Sequence, residues 1–450
     1  MSLTAPTASG TLPIMSLQQD IRLAPIGRAS ALVELPGSKS ITNRAYILSA
    51  LAAGKTNLHG VLYSDDTVAM TECLGKFRIA IEQSPANEAW ISGSSGQLTE
   101  PDSTLFVRYS GTTIRFLTAL SALCPVGSRV VLDGAQRTRE RPIVDLVTAL
   151  RQLGVHAETA ENGCPPVVVM GGGLPGGKCT IGGSVSSQYL SALLMTSPYA
   201  AKDVTIDVEG ELVSRPYIDM TIGMMAEFGV RVENDAYRTF FIPAGQKYVG
   251  QRYAIEPDAS NASYFLAAAA VTQGRVTVNG IGSKSIQGDI GFVDVLENMG
   301  CEVIRGADSF TIVGPAYLQS IDFDASLIPD MAQTIAVTAC FAVGTTRLTG
   351  LSTLRFKETD RIAAMATELR KLGAMVTEGE ESLIIEPPAL FHSAAIDTYD
   401  DHRMAMSFAI AGLRIQGITI NDPGCVAKTF PDFWDRWSVA FPGSVVGEVN

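Results

Sequence analysis

Apolar and polar positions along this chain repeat one arrangement. A helix-forming apolar segment leads to a Gly-containing turn, a short β-branched strand ending in glycine, and a second, amphipathic helix. The strand occurs as KTNLHG (55–60), SRVVLDG (128–134), VTIDVEG (204–210), RVTVNG (275–280), TTRLTG (345–350) and ITIND (418–422). Its terminal Gly60, Gly134, Gly210, Gly280 and Gly350, with Asp422 in the sixth copy, are spaced by 74, 76, 70, 70 and 72 residues. A second series, Gly75, Gly154, Gly229, Gly300 and Gly373, closes the amphipathic helices and predicts left-handed caps there. Two glycine series on one period indicate six copies of a β/α unit.

The first helix of each copy starts on small or polar residues: GSKSITNR (37–44), YSGTTIR (109–115), SVSSQYL (184–190), DASNASYF (258–265), IPDMAQT (328–334) and YDDHRMAM (399–406). Beyond those starts the helices are mostly apolar, as in SYFLAAAAV. A helix apolar around its circumference is buried on all sides, so these helices are expected inside and the strands outside. Their opening N–H groups remain free, and such groups bind anions.

Length changes the picture only by allowing two or three domains in 450 residues. A net charge of −12 argues against a protein that coats nucleic acid or anionic lipid. No apolar run approaches the roughly 20 residues of a membrane span. Seven scattered cysteines without CxxC spacing or Cys/His clusters predict reduced thiols, no zinc site and a cytoplasmic setting. The opening MSLTAPTASGTLPI lacks Lys and Arg, and so reads as a disordered tail over residues 1–17 rather than a targeting segment, with Met15 a second candidate start.

Cations gather at the helix starts. Lys39 and Arg44 open a nearly apolar helix, where they would sit badly unless an anion meets them. QRTRERP (136–142) places three Arg before Pro142, a residue suited to the first position of a helix, and surface solvation is the ordinary fate of such a run. Ser186, Ser187 and Gln188 offer hydroxyl and amide groups suited to a polyol. In RFKETDR (355–361), Lys357 and Arg361 would repel as a helical i,i+4 pair without an anion. His402 and Arg403 open another helix, with His402 read equally well as a packed core residue. GGLPGGKC (172–179) has P-loop spacing but ends in Cys179 and is not followed directly by a helix, which excludes that reading.

In order along the chain, LPGSKSITNR, DGAQRTRERPIVDL, SSQYLSALLM, SRPYIDM, IPDMAQTIA, RFKETDRIAAMATELRKLG, YDDHRMAM and DPGCVAKTFPDFW resemble the 5-enolpyruvylshikimate-3-phosphate (EPSP) synthase family over about residues 20–440. The resemblance implies an α/β fold: a two-lobed inside-out α/β barrel of six βαβαββ repeats, helices inside and sheets outside. It implies one lobe from residues 18–36 plus 257–450 and another from 37–256. It also implies transfer of the enolpyruvyl group of phosphoenolpyruvate to the 5-hydroxyl of shikimate 3-phosphate, with phosphate released and no metal or organic cofactor. A monomer with small-molecule substrates only is expected.

Residue roles follow from the same resemblance. Lys39, Ser40, Arg44, Ser186, Ser187, Gln188, Ser214, Asp330, Thr353 and Lys357 match shikimate 3-phosphate contacts, with Tyr217 a candidate beside them. Lys39, Gly111, Thr112, Arg137, Gln188, Arg361, Arg403 and Lys428 match phosphoenolpyruvate contacts. Asp330 matches the proton acceptor for the 5-hydroxyl, and Glu358 the group that donates to and later takes from the methyl carbon. Lys39, with His402, is expected to neutralise charge that develops in the intermediate. Arg115 and Arg141 are expected to be structural.

The chain departs from the family pattern at three places. Arg108 and Tyr109 replace Gly-Asn before the SGTT turn, and Ile114-Arg115-Phe116 replaces Met-Arg-Pro after it. Thr353 stands where the family has Asn. The SGTT turn borders the phosphoenolpyruvate pocket and governs discrimination against glyphosate in the family, so these departures bear on sensitivity to that herbicide. The alternative is the sister enzyme acting on UDP-N-acetylglucosamine, which typically carries a reactive Cys in the loop matching residues 134–139. DGAQRT has none.

Overall fold

The computed structural model describes residues 20–446. The expected tail at 1–17 and the start at Met15 lie outside the described residues. Six four-stranded sheets share one strand order. In each, the repeat strand (Lys55–His59, Arg129–Asp133, Val204–Glu209, Arg275–Asn279, Thr346–Thr349 or Ile418–Ile420) lies between a parallel neighbour and an antiparallel one. The sixth sheet takes its antiparallel neighbour from the other end of the chain, where Ile21–Leu23 pairs with Ile418–Ile420.

The apolar first helices lie inside. Gly111–Leu120, Ala259–Thr272, Ala332–Ala339 and His402–Gly412 are buried along their whole length. The second helices, such as Asp65–Lys76 and Arg361–Lys371, bury one face only. Two separate hydrophobic cores result, one from residues between Ile41 and Ile255, the other from Leu23–Leu35 with residues between Ala259 and Phe441. The chain passes between them twice, side by side. Gly37 bridges Pro257, Ser38 N–H donates to the Glu256 carbonyl at 2.8 Å, and Asp258 N–H donates to the Pro36 carbonyl at 3.0 Å.

Five of the six first-helix starts are capped by a side chain: Ser38, Ser110, Ser186, Asp258 and Asp401 each accept a backbone N–H of their own first turn. The fifth copy enters its helix through the short turn Pro329–Met331, which puts Asp330 at the opening.

Several local expectations are corrected. Gly154, Gly229, Gly300 and Gly373 have positive φ, but Gly75 lies within its helix and Arg78, three residues on, takes the left-handed turn. Pro142 does not occupy the first helical position, because that helix starts at Val144. Lys357 is extended and Arg361 begins the helix capped by Asp360, so the two cations are not a helical i,i+4 pair. Gly177–Gly182, in the excluded P-loop segment, is a strand. All seven cysteines are free.

Candidate active site

The starts of the buried helices converge on one cleft lined from both cores. Arg44, Thr112, Ser186–Gln188, Ser214 and Tyr217 come from the 41–255 side, with Lys39 and Ser40 just ahead of it, and Asp330, Thr353 and Lys357 come from the other.

Two carboxylates organise the cations. Asp330 meets Lys357 Nζ at 3.4 Å, Arg361 Nη1 at 3.1 Å and Arg403 Nη2 at 3.0 Å. Glu358 meets Arg361 Nη2 at 2.9 Å, Lys428 Nζ at 3.5 Å and Arg141 Nη1 at 3.9 Å. Burial pushes both carboxyls up. The surrounding cations outweigh it, Arg403 and Lys357 at Asp330, Lys428 and Arg361 at Glu358, and hold both well below the usual carboxylate range. Arg361 is the hub: its Nε donates to Asp401 Oδ2 at 2.7 Å, so one guanidinium spans three carboxylates. Asp401 also caps the helix bearing His402 and Arg403. Removing either side of such a buried pair leaves an uncompensated charge.

Other side chains are fixed by polar contacts. Gln188 accepts from Arg115 Nη1 at 2.6 Å and donates to Thr112 Oγ1 at 3.2 Å. Arg44 donates to Thr221 Oγ1, the Ser40 carbonyl, Ser191 Oγ and the Tyr217 carbonyl, and burial lowers its pKa to about 10. Its guanidinium lies 5.3 Å over the Phe116 ring. Lys39 pairs with Asp66 at 3.4 Å, and its N–H donates to Asp258 Oδ2 at 3.0 Å across the crossover. Lys428 donates to the Tyr109 carbonyl at 3.1 Å, whereas Arg108 turns outward to Glu72 at 2.7 Å. Thr353 lines the cleft with its buried Oγ1 unpartnered.

His402 is held neutral: burial, then Lys39 and Arg403, push its pKa well below 6.5, and neither ring nitrogen has a hydrogen-bond partner. A neutral imidazole can meet developing charge only through a hydrogen bond.

Arg137 and Arg141 both reach the segment that carries Lys357 and Glu358. Arg137 spends its donors on the carbonyls of Lys357 and Glu358, at 3.0 Å each, and on Glu140. Arg141 lines the cleft, 7 % exposed, with its guanidinium against Gly111, where a Cβ would approach Nη1 to 2.6 Å. Burial lowers its pKa to about 10, with Arg115 acting in the same direction. Arg115 also lines the cleft. In the alternating run 137-139-141 nothing local distinguishes the three Arg.

Comparison with known proteins is decisive at this point, because the sequence model of EPSP synthase (3-phosphoshikimate 1-carboxyvinyltransferase) matches residues 23–437. The chain belongs to the EPSP synthase family. It is 48 % identical over 423 residues to the 3-phosphoshikimate 1-carboxyvinyltransferase of Aliivibrio salmonicida, covering 93 % of this chain and 98 % of that one. Identity to the Vibrio cholerae protein of the same name is 49 % over 426 residues, covering 93 % and 99 %. An EPSP synthase structure from Acinetobacter baumannii superimposes with a TM-score of 0.80 at 28 % identity, covering 96 % of this chain and 100 % of that one. Sequence reasoning within the family frame missed Arg141, Asp66, Asp289 and Asp401. Only Asp401 carried a signal, as the residue before the helix-opening His402-Arg403 pair.

Proposed function

We propose that this chain transfers the enolpyruvyl (carboxyvinyl) group of phosphoenolpyruvate to the 5-hydroxyl of shikimate 3-phosphate and releases phosphate. The observation that carries this reading is the pair Asp330 and Glu358, both inside one cation cluster and joined through Arg361. A site that only bound anions would gain nothing from carboxylates beside its cations.

Charge supports the substrate class. Eight cations (Lys39, Arg44, Arg115, Arg141, Lys357, Arg361, Arg403, Lys428) surround five carboxylates (Asp66, Asp289, Asp330, Glu358, Asp401), a surplus of three. The four helix openings that line the cleft, at Lys39, Thr112, Ser186–Gln188 and Asp330, add about +2 at roughly +0.5 each. The sum balances two carboxylates and two phosphate groups, about −5 to −6 together.

Addition requires a proton from the 5-hydroxyl and a proton onto the methylene carbon. The hydroxyl oxygen bonds to the central carbon, giving a tetrahedral ketal, and loss of phosphate with a methyl proton completes the transfer. Asp330 accepts the hydroxyl proton and Glu358 serves the carbon. Without substrate, both carboxylates occupy the cations and are weak bases. Substrate carboxylate and phosphate compete for Arg361, Arg403, Lys357 and Lys428, and each cation drawn away raises the proton affinity of Asp330 or Glu358. Binding thus arms the acid–base pair. Arg141, rather than Arg137, supplies the guanidinium for phosphoenolpyruvate in this reading, and Gln188, fixed by Arg115 and Thr112, orients the acceptor ring.

The two cores support a division into lobes at 18–36 plus 257–450 and 37–256, forming a two-lobed inside-out barrel. A cytoplasmic monomer completes the reading. Phosphate release is the test, with phosphoenolpyruvate and either shikimate 3-phosphate or UDP-N-acetylglucosamine as acceptor. Turnover with the first acceptor alone is expected; turnover only with the sugar nucleotide overturns the assignment.

A further inference from the structure

Asp289 belongs to none of the motifs used above. It sits on the short turn Gly288–Gly291 and is 5 % exposed. Asp330 meets three cations, yet Asp289 makes no ion pair among the described residues. Its Oδ2 accepts from the Tyr217 hydroxyl at 3.0 Å and from Ser260 Oγ, and its Oδ1 is buried without a partner. The same Tyr217 hydroxyl lies 3.5 Å from Asp330 Oδ2. Tyr217 rides on the helix Arg215–Glu227, packed on the 41–255 core, while Asp289, Ser260 and Asp330 stand with the other core. One phenol therefore bridges the cleft and stands between two carboxylates.

A phenol has a single proton, and the shorter contact assigns it to Asp289. Two consequences follow for Asp330. Its Oδ2 receives no hydrogen bond from Tyr217, so it stays open to a substrate hydroxyl. The charge of Asp289, one hydroxyl away, also raises the proton affinity of Asp330 against its three cations.

We propose that Asp289 is a positioning residue for the proton-transfer step: by claiming the Tyr217 proton it keeps Asp330 free and basic, and its own protonation reverses this. When Asp289 takes one proton from solvent, its O–H donates to the Tyr217 oxygen, and the phenol proton turns to Asp330. Neither carboxylate then serves the substrate hydroxyl. The inference rests on Asp330 acting as that base.

Titration is consistent with the geometry. Burial, then the charge of Asp330, pushes the Asp289 carboxyl up to about 6, against Ser260, Arg403 and Tyr217. The charged and titratable groups facing it are Tyr217 from helix Arg215–Glu227, Asp330 from turn Pro329–Met331 and Arg403 from helix His402–Gly412. Helix Ala259–Thr272 contributes only the Ser260 hydroxyl.

The test is the pH profile of kcat for phosphate release from phosphoenolpyruvate and shikimate 3-phosphate, in the wild type, Asp289→Asn and Ser260→Ala. Wild-type turnover establishes the underlying reading; its absence sinks that reading rather than the role of Asp289. The wild type is expected to lose kcat below about pH 6. Asp289→Asn is expected to lose at least about 10-fold in kcat, keep both KM values within about threefold, and show no inflection there. Ser260→Ala keeps the carboxylate but removes a hydrogen bond that favours its ionised form, so its inflection moves to higher pH. This variant decides the matter if Asp289→Asn does not fold. Wild-type kcat or an unchanged inflection in Asp289→Asn, or an unmoved inflection in Ser260→Ala, overturns the proposal.

Discussion

Alanine at Gly111 probes the placement of Arg141 with the smallest available change. Gly111 begins the helix Gly111–Leu120, where its backbone already suits alanine. An added Cβ would lie 2.6 Å from Arg141 Nη1 and 2.7 Å from Cζ, where ordinary contact begins at 3.4 Å. The guanidinium must therefore withdraw by about 0.8 Å, the difference between those distances. The obstructing atoms are the end of a long side chain, so the fold survives and the loss falls on the phosphoenolpyruvate side of the cleft, where Gly111 and the guanidinium stand together. A hydrogen bond to a charged group contributes about 1.5–3 kcal/mol when fully made, and sub-ångström displacement forfeits part of that. We expect a loss of about 1–2 kcal/mol, or a ~5- to 30-fold rise in the KM for phosphoenolpyruvate. The KM for shikimate 3-phosphate should stay within about twofold, since Arg141 is assigned to the other substrate. Initial-rate phosphate release with each substrate varied in turn measures both. An unchanged KM for phosphoenolpyruvate, or equal increases in the two constants, would refute the assignment of Arg141 and return it to a structural role.

Three further outcomes are expected. Glu358→Gln should lower kcat by at least about 10²-fold while calorimetry still detects shikimate 3-phosphate binding; near-normal turnover removes Glu358 from the proton chemistry. Asp401→Asn takes one of three carboxylates from Arg361, 1 % exposed, and denaturant titration should show a loss of about 1.5–3 kcal/mol; a variant of wild-type stability contradicts the hub role of Arg361. For His402 the sign follows from a folded pKa below 6.5. Its contribution is complete above pH 6.5 and is lost as pH falls toward the folded value, because the unfolded chain binds a proton that the native state refuses. The stability difference between wild type and His402→Asn should thus change below pH 6.5 by about 1.4 kcal/mol per pH unit, and a pH-independent difference would mean a charged imidazole.

What the sequence determined by itself was the part that short-range physics controls. Apolar circumference decides that a helix is buried, and a Ser or Asp before the first turn decides where it starts. One strand type repeated on one period places six strands alike in six sheets. The same rules set Lys39, Ser40 and Ser186–Gln188 at helix openings before any contact between repeats is known, and the family motifs followed from the same stretches. Average charge says nothing of the site, since a chain at −12 gathers eight cations round one cleft.

Only the tertiary structure decided which charge meets which. Arg137 and Arg141 are indistinguishable in QRTRERP, and packing sets the Arg141 guanidinium against the helix opening at Gly111 while Arg137 turns to the carbonyls of Lys357 and Glu358. Lys357 and Arg361 looked like a repelling helical pair, but Lys357 is extended ahead of the helix, and Asp330 from the first helix opening of the same repeat meets both cations. Asp289 had no local signature, because its significance lies in a phenol reaching it from the opposite core. Burial and capping act over one turn of chain, whereas Coulomb and hydrogen-bond partners here are joined by packing across tens to hundreds of residues. The sequence therefore determined where charge could gather, and the packing of six repeats decided what that charge could do.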